Sequence, residues 1–171
     1  MKIYIGTDHA GFELKEKLVV FLKSLGHEVS DMGAHSYDAF DDYPDFIRPV
    51  AEAVAGDMSA RGIILGGSGQ GEAMCANRVT GVRAAVYYGG PVDIAVLSRE
   101  HNDANILSLG ARFVDENEAR EVVPMLFGTN GPGLPFAVVP RNAGIRLSFS
   151  APLGVDDSFF VERGSNGQVT G

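Results

Sequence analysis

Four glycines fall within six residues in the segment Gly66-Gly67-Ser68-Gly69-Gln70-Gly71, and Glu72 follows directly. An apolar run, Arg61–Leu65, precedes this glycine loop, and a helix is expected after it. A glycine-rich turn between a strand and a helix lets backbone N–H groups converge on an anion. The segment does not fit a nucleotide-binding loop, because Glu72 stands where that motif needs Lys. It also lacks the G-x-G-x-x-G spacing of dinucleotide sites.

A carboxylate beside such a loop suggests proton transfer at a carbon next to a carbonyl group. Glu72 would remove the proton, and the loop N–H groups would hold the resulting enediolate oxyanion. Two effects on Glu72 oppose each other, because a helix N-terminus favours the ionised carboxylate while desolvation raises its pKa. The sequence leaves open two other interpretations: a Glu72 that only complements the helix dipole, and a glycine turn without a ligand.

Two histidines lie in polar segments where they could exchange protons near neutral pH. His9 lies beside Asp8 in the turn Thr7–Gly11, and His101 begins the segment His101-Asn102-Asp103-Ala104-Asn105. Ligands of open parallel sheets bind beyond the carboxyl ends of the strands. We therefore expect both segments to gather there with the glycine loop. A metal site formed by Asp8, His9 and His101 is a weaker alternative, because the ligands are not closely spaced.

The elements that must position these residues alternate between strands and helices along the chain. We expect strands at Lys2–Gly6, His27–Asp31, Arg61–Leu65, Val82–Tyr87 and Ile106–Leu109. We expect helices at Leu14–Leu25, Asp45–Ala55, Glu72–Val79, Val92–Glu100 and Asp115–Phe127. This alternation with short loops predicts an α/β fold, Rossmann-like, with three α/β/α layers and a five-stranded parallel sheet. Cys75, three residues after Glu72, is expected to be a buried, unreactive thiol.

The 171 residues suggest one domain with an appended segment. Residues 1–127 form the predicted Rossmann-like domain, and residues 128–171 form a Gly/Pro-rich, irregular C-terminal extension or arm. The net charge of −8, with no run of Lys or Arg, argues against nucleic-acid and anionic-membrane partners. A single cysteine, no signal peptide and no apolar run near ~18 residues favour a cytoplasmic location.

Motifs spread over residues 2–127 resemble the ribose-5-phosphate isomerase B/galactose-6-phosphate isomerase family. They are Gly6-Thr7-Asp8-His9-Ala10-Gly11 with Leu14-Lys15, Asp42-Tyr43-Pro44, the glycine loop, Ala76-Asn77-Arg78, His101–Asn105 and Gly110-Ala111-Arg112. The resemblance implies interconversion of aldose and ketose phosphates without cofactor or metal, by default ribose 5-phosphate and ribulose 5-phosphate. It also implies a homodimer, or a tetramer, with the active site at the subunit interface.

Other functions remain open beside this one. The same chemistry could act on a four- or six-carbon sugar phosphate or on a free sugar. A non-catalytic or nucleotide-binding Rossmann-like module is the alternative of a different class.

The resemblance also implies roles for individual residues. Many family members carry a proton-abstracting cysteine where this chain has Gly66, and this sequence resembles the subgroup that uses a glutamate, here Glu72. His101 and Asp8 would open the sugar ring, and Ser68 would carry the proton between the two oxygens. The enediolate would be held by the backbone of Gly67, Ser68, Gly69, Gln70 and Gly71. The substrate's hydroxyls and phosphate would be held by Asp8, His9, Asn102 and Arg112.

The chain departs from the family after Phe127. Family members usually continue into a basic helix whose arginines complete the phosphate site, often on the partner subunit. This sequence has no such helix. Arg141 and Arg146 are the nearest candidates for that role.

Overall fold

The structure, a computed structural model, describes residues 1–126 and contains one five-stranded sheet. Every pairing in it is parallel, and the strand order is β2-β1-β3-β5-β4. The strands are β1 (Lys2–Thr7), β2 (Glu28–Asp31), β3 (Arg61–Gly66), β4 (Ala84–Tyr87) and β5 (Ile106–Gly110). The helices are α1 (Phe12–Ser24), α2 (Pro44–Gly56), α3 (Gln70–Ala76), α4 (Asp93–Asn102) and α5 (Glu116–Leu126). The predicted α/β fold with five parallel strands is confirmed.

Helices cover both faces of the sheet, because the strand side chains alternate between two apolar clusters. On β3, Ile63 and Leu65 belong to the cluster that includes residues of α1, α4 and α5. Ile64, between them, belongs to the cluster formed with α2 and α3. All three side chains are fully buried. The three-layer arrangement is therefore confirmed over the described residues. None of the helices in this part of the chain is long and apolar enough to cross a bilayer.

Most element boundaries differ from the sequence prediction by one to three residues. Helix α3 covers Gln70–Ala76 where Glu72–Val79 was expected, so Glu72 lies in its first turn. Strand β4 begins at Ala84, two residues later than expected. The amide of Asn77 explains the later start, because its Oδ1 accepts a hydrogen bond from the Ala84 N–H (2.8 Å) and its Nδ2 donates one to the Ala84 carbonyl (3.0 Å).

The expectation that His101–Asn105 would join the other polar segments was wrong. His101 and Asn102 end α4, and Asn105 immediately precedes β5. A segment that leads into a strand of a parallel sheet lies at the amino edge, whereas the glycine loop follows the carboxyl end of β3. The hydrogen bonds agree, since the Gly62 N–H at the start of β3 donates to the Asn105 carbonyl (2.9 Å).

A fully buried lysine, Lys15, joins α1 to the end of β2. Its Nζ donates to Asp31 Oδ2 (2.5 Å) and to Glu16 Oε1 (2.6 Å). The other oxygen of Asp31 accepts a hydrogen bond from the Gly33 N–H (2.9 Å). The ion pair thus holds the start of the segment 32–43, which we call the crossover loop and which runs from β2 to α2.

Replacing Asp31 with Asn should lower the free energy of unfolding by about 2 kcal/mol, measured by urea denaturation. This is less than for a fully buried pair, because the Asp31 side chain is 26% exposed and Glu16 still contacts Lys15. Glu16→Gln is the matched control, since Glu16 pairs with the same lysine but is 53% exposed. It should cost less than about 0.5 kcal/mol. Equal losses in the two variants would contradict the structural importance assigned to Asp31.

Candidate active site

Three turns meet at the carboxyl edge, where β1, β3 and β5 end side by side. The register pairs Thr7 with Leu65 and Gly66 with Gly110. Thr7 Oγ1 donates a hydrogen bond to the Leu65 carbonyl across the strand ends (3.0 Å). A Cβ at Gly11 would overlap Thr7 Oγ1 and lie 2.6 Å from Leu65 Cβ, so the first turn packs directly on the end of β3. The structure therefore brings Asp8 and His9 next to the glycine loop, as expected.

The glycine loop is anchored to β5 and to the turn that follows it. Gly69 has a φ of 76° in the left-handed region, and its carbonyl accepts a hydrogen bond from the buried Ser108 Oγ (2.6 Å). The Ala111 N–H donates to the Gly66 carbonyl (2.8 Å). Ser68 is exposed in the loop, and its Oγ accepts from the Gln70 N–H (3.3 Å). The backbone is fixed while the Ser68 hydroxyl remains accessible.

Glu72 points back over the start of this loop. A Cβ at Gly66 would overlap its Oε1 and Cδ atoms and lie 2.7 Å from its Cγ. The carboxylate therefore occupies the space that a side chain at position 66 would need. Glu72 is only 5% exposed, and its Oε2 is buried without a hydrogen-bond partner. An unpaired buried carboxylate oxygen is costly to maintain, which is typical of a group kept for chemistry.

Burial determines whether the pKa of Glu72 is raised or lowered, which the sequence left open. Desolvation raises the pKa of the Glu72 carboxyl above its ordinary value of 4.5, and the negative charge of Asp8 adds to the rise. Hydrogen bonds from the backbone of Glu72 itself and of Gly69 act in the opposite direction without reversing it. The result is a stronger base than an exposed glutamate, placed beside the glycine loop.

A second acidic group, Asp41 of the crossover loop, holds His9. Asp41 Oδ1 accepts hydrogen bonds from the His9 backbone N–H (2.9 Å) and from ring Nδ1 (2.7 Å). The bond to Asp41 raises the pKa of the His9 imidazole above 6.5. Asp8 caps its own turn by accepting from the Ala10 N–H (3.0 Å). Sequence reasoning missed Asp41, because nothing in a polar loop distinguishes it from its neighbours.

Two further side chains lie against the glycine loop. The Arg112 guanidinium lies over Gly67, where a Cβ would be 3.3 Å from its Cζ. Among the described residues, Arg112 has no salt bridge or side-chain hydrogen bond, and it is exposed. The Tyr43 ring lies over Gly71, where a Cβ would be 3.3 Å from its Cζ. Tyr43 belongs to the family motif Asp42-Tyr43-Pro44 but was not predicted as a site residue.

Two of the predicted residues that the structure describes are not brought into this site. His101 and Asn102 are exposed at the opposite edge of the sheet, and the aligned part of β3 and β5 alone spans about 13 Å. Arg141 and Arg146 lie outside the described residues. Cys75 is half-buried, not buried as expected, and desolvation raises the pKa of its thiol.

A metal site of Asp8, His9 and His101 is not assembled within the chain, because His101 is at the other edge. Ligand atoms of Asp8, His9 and Asp41 do come within 4.8 Å of one another. However, the Asp41 Oδ1 and His9 Nδ1 atoms bond each other, so neither atom is free for a cation. A hydrogen-bonded network accounts for these groups better than a cation site does.

Comparisons with known proteins agree with this arrangement. The model of the Ribose/Galactose Isomerase family matches residues 3–131. The chain belongs to this family. A relative, ribose-5-phosphate isomerase B of Mycolicibacterium paratuberculosis, is 42% identical over 142 residues, covering 83% of this chain and 85% of the relative. The Mycobacterium tuberculosis (strain H37Rv) enzyme of that name is 46% identical over 123 residues, covering 72% and 75%.

Solved structures of the same family share the fold. Ribose-5-phosphate isomerase B of Clostridium thermocellum is 46% identical with a TM-score of 0.70, covering 75% of this chain and 84% of that one. The Mycoplasma genitalium protein of that name, whose structure has bound ribulose-5-phosphate, is 38% identical with a TM-score of 0.71 and the same coverage. The Rossmann-like fold of this family member is thereby confirmed.

In this member of the isomerase family, Gly66→Ala should reduce kcat/KM about 100-fold, because the new Cβ displaces the Glu72 carboxylate. Steady-state kinetics would measure the loss, and circular dichroism would show that the fold persists. Gly56→Ala is the matched control, since a Cβ there meets nothing within 4 Å. Full activity in Gly66→Ala would show that the carboxylate need not lie over position 66.

Proposed function

We propose that the protein is a cofactor-independent aldose–ketose isomerase that interconverts ribose 5-phosphate and ribulose 5-phosphate through a cis-enediolate. The observation that carries this proposal is the Glu72 carboxylate, buried over Gly66 with an unpaired oxygen beside the glycine loop. Relatives named ribose-5-phosphate isomerase B, and one solved with ribulose-5-phosphate, supply the substrate class.

The reaction needs one proton to move between neighbouring carbons. Glu72 removes the proton from C2 of the open-chain aldose, and the C–H electrons form the C1–C2 double bond while the C1 carbonyl oxygen becomes negative. Backbone N–H groups of the glycine loop stabilise this oxyanion. The Ser68 hydroxyl moves a proton between O2 and O1, and Glu72 returns its proton to C1. The ketose forms without any redox partner.

The remaining roles follow the charge of the other groups. Asp8, adjacent to Glu72, and His101 open the sugar ring by proton transfer. His9 and Arg112 lie at the positive end of the site and hold the phosphate, with Asn102 binding hydroxyls. Arg141 and Arg146 remain candidates for completing the phosphate site.

The site is incomplete in one chain, because His101 and Asn102 lie at the amino edge. We therefore propose a homodimer, or a tetramer built from such dimers, in which α4 of one copy supplies both residues to its partner. Helix α4 presents Ile94 and Leu97, 44% and 47% exposed, at the spacing that continues to His101. Such an exposed apolar stripe fits a subunit interface better than a solvated surface.

Two exposed aromatic residues border the candidate site. Tyr88 and Phe113 are 53% and 63% exposed and contact each other edge to face, with ring centroids 6.3 Å apart. Tyr88 also packs against Gly110 at the end of β5. A partner subunit arriving at this edge would cover both rings. We also propose a cytoplasmic location, because the single cysteine cannot form an internal disulfide.

Replacing Glu72 with Gln should lower kcat about 10³-fold, because the amide cannot accept the C2 proton. KM should change little, since the side chain keeps its size. The measurement is deuterium incorporation from D₂O at the carbon next to the carbonyl, across four- to six-carbon sugar phosphates and their free sugars. Glu28→Gln, an exposed glutamate at the start of β2, is the control.

The same panel separates the alternatives. Faster exchange with a four- or six-carbon sugar phosphate, or with a free sugar, would replace the pentose phosphate as substrate while keeping the chemistry. No exchange with any sugar would favour a binding module, and tight binding of a nucleotide would specify its class. Unimpaired exchange in Glu72→Gln would exclude Glu72 as the base.

A mixed dimer tests whether the site is shared between subunits. Glu72→Gln and His101→Asn should each be inactive, yet co-refolded mixtures should recover about a quarter of wild-type activity. Half of the dimers are then mixed, and each has one site with both native residues. Mixing Glu72→Gln with Ser68→Ala is the control, because both changes affect the same loop and every site keeps a defect. No recovery in the first mixture would place His101 outside the partner's site.

A further inference from the structure

Asp41 contacts His9 twice although 32 residues separate them in the sequence. One oxygen, Oδ1, accepts both the backbone N–H (2.9 Å) and the ring Nδ1 (2.7 Å). The Asp41 side chain is 9% exposed, against 28% for His9. Its second oxygen, Oδ2, is buried without a hydrogen-bond partner among the described residues. The hydrogen bonds of Asp41 Oδ1 are therefore directed to His9 alone, and Oδ2 is closed off from solvent.

This contact fixes the ring of His9 in one orientation. With Nδ1 bonded to Asp41, Nε2 is the ring nitrogen left for a ligand. The Tyr37 ring lies edge to face against the imidazole, with centroids 6.3 Å apart. His9 lines a cavity of about 280 Å³ together with Ala111, the neighbour of Arg112. His9 therefore borders open space beside the turn that carries Arg112.

The charges around His9 oppose one another. Arg112 lowers the pKa of the imidazole, while the hydrogen bond to Asp41, the largest effect, and the charge of Asp8 raise it above 6.5. The adjoining cavity is also lined by charged residues of α1 and α5, namely Glu13, Lys17 and Glu116. Lys17 and Glu116 neutralise each other at 3.1 Å. An imidazolium beside a guanidinium is unfavourable, and Asp41 offsets that repulsion.

We propose that Asp41 is a positioning residue that orients the His9 ring and keeps it cationic beside Arg112, so that the two cations together bind the phosphate of the sugar substrate. The inference rests on the proposed isomerase function. Asp41 acts through His9 and not on the substrate itself, because its Oδ2 is buried and its Oδ1 accepts two hydrogen bonds from His9. A neutral histidine at position 9 would leave Arg112 without a second unpaired cation at this end of the described site, because Lys17 is paired with Glu116.

The pH dependence has a definite sign. His9 is charged below its raised pKa, so the phosphate contact is present at lower pH and is lost as the pH rises through that pKa. Asp41→Asn keeps an oxygen acceptor for both hydrogen bonds but removes the negative charge. The variant should therefore lose the contact at a lower pH than the wild type does. The loss of activity at low pH, which we assign to protonation of Glu72, should be the same in the variant and the wild type.

Proton–carbon NMR of the histidine rings measures the pKa of His9 without any substrate. The chain has four histidines, and His9→Gln assigns the His9 signal. In the wild type the pKa of His9 should lie above 6.5, and in Asp41→Asn it should be lower than in the wild type. Asp38→Asn is the matched control, because it removes one charge from the same exposed loop and should leave His9 unchanged. An unshifted His9 in Asp41→Asn, or a wild-type value below 6.5, would overturn the proposal.

Kinetics with ribose 5-phosphate test the consequence for binding. Asp41→Asn should raise KM roughly tenfold at a pH between the His9 pKa values measured in the wild type and the variant, yet leave it close to wild type at a pH below both, with a smaller effect on kcat. An equal loss at both pH values would instead indicate a purely structural role and would contradict the inference. If the NMR shift is observed but no sugar phosphate is isomerised, the proposed function fails while the Asp41–His9 assignment stands.

Discussion

The carboxylate of Glu72 lies where a side chain at position 66 would have to lie, and the rest of the site is built around that overlap. For the carboxylate to reach over the loop, α3 must begin early enough to put Glu72 in its first turn. The loop must also keep its conformation, which the left-handed Gly69 and its hydrogen bond from Ser108 support. In the proposed reaction, the acceptor of the proton therefore comes from a helix, while the backbone beside it supplies the hydrogen-bond donors.

Charge is separated along the site even though the whole chain carries a net charge of −8. Asp8 and Glu72 lie close enough for the charge of Asp8 to raise the pKa of Glu72, which suits a base that must accept a proton. At the other end, Arg112 lies near His9, whose charge Asp41 maintains. A strongly acidic surface repels polyanions, but two local cations are sufficient for one small phosphate.

The alternation of strands and helices could be predicted from the sequence because each strand and helix has its own apolar periodicity. The glycine loop and Glu72 could also be predicted, because both lie within seven consecutive residues. The segment His101–Asn105 was misplaced because its polarity was considered without its position before β5. Asp41 could not be predicted, because its contact with His9 depends on how the crossover loop folds back. The direction of the change in the pKa of Glu72 could not be predicted, because it depends on burial, which only packing determines.

The distance between the two edges of the sheet makes the proposed reaction depend on assembly. A proton-transfer group supplied by another subunit must be placed as accurately as one from the same chain, because small displacements cost large factors in rate. The end of α4 meets this need. Asp103, with a φ of 51°, stops the helix and is held by Arg83 (2.6 Å) and Arg99 (2.5 Å). These ion pairs fix the turn that follows His101 and Asn102 before any partner arrives. In the proposed dimer, residues at the amino edge of one copy would therefore determine the geometry at the carboxyl edge of the other.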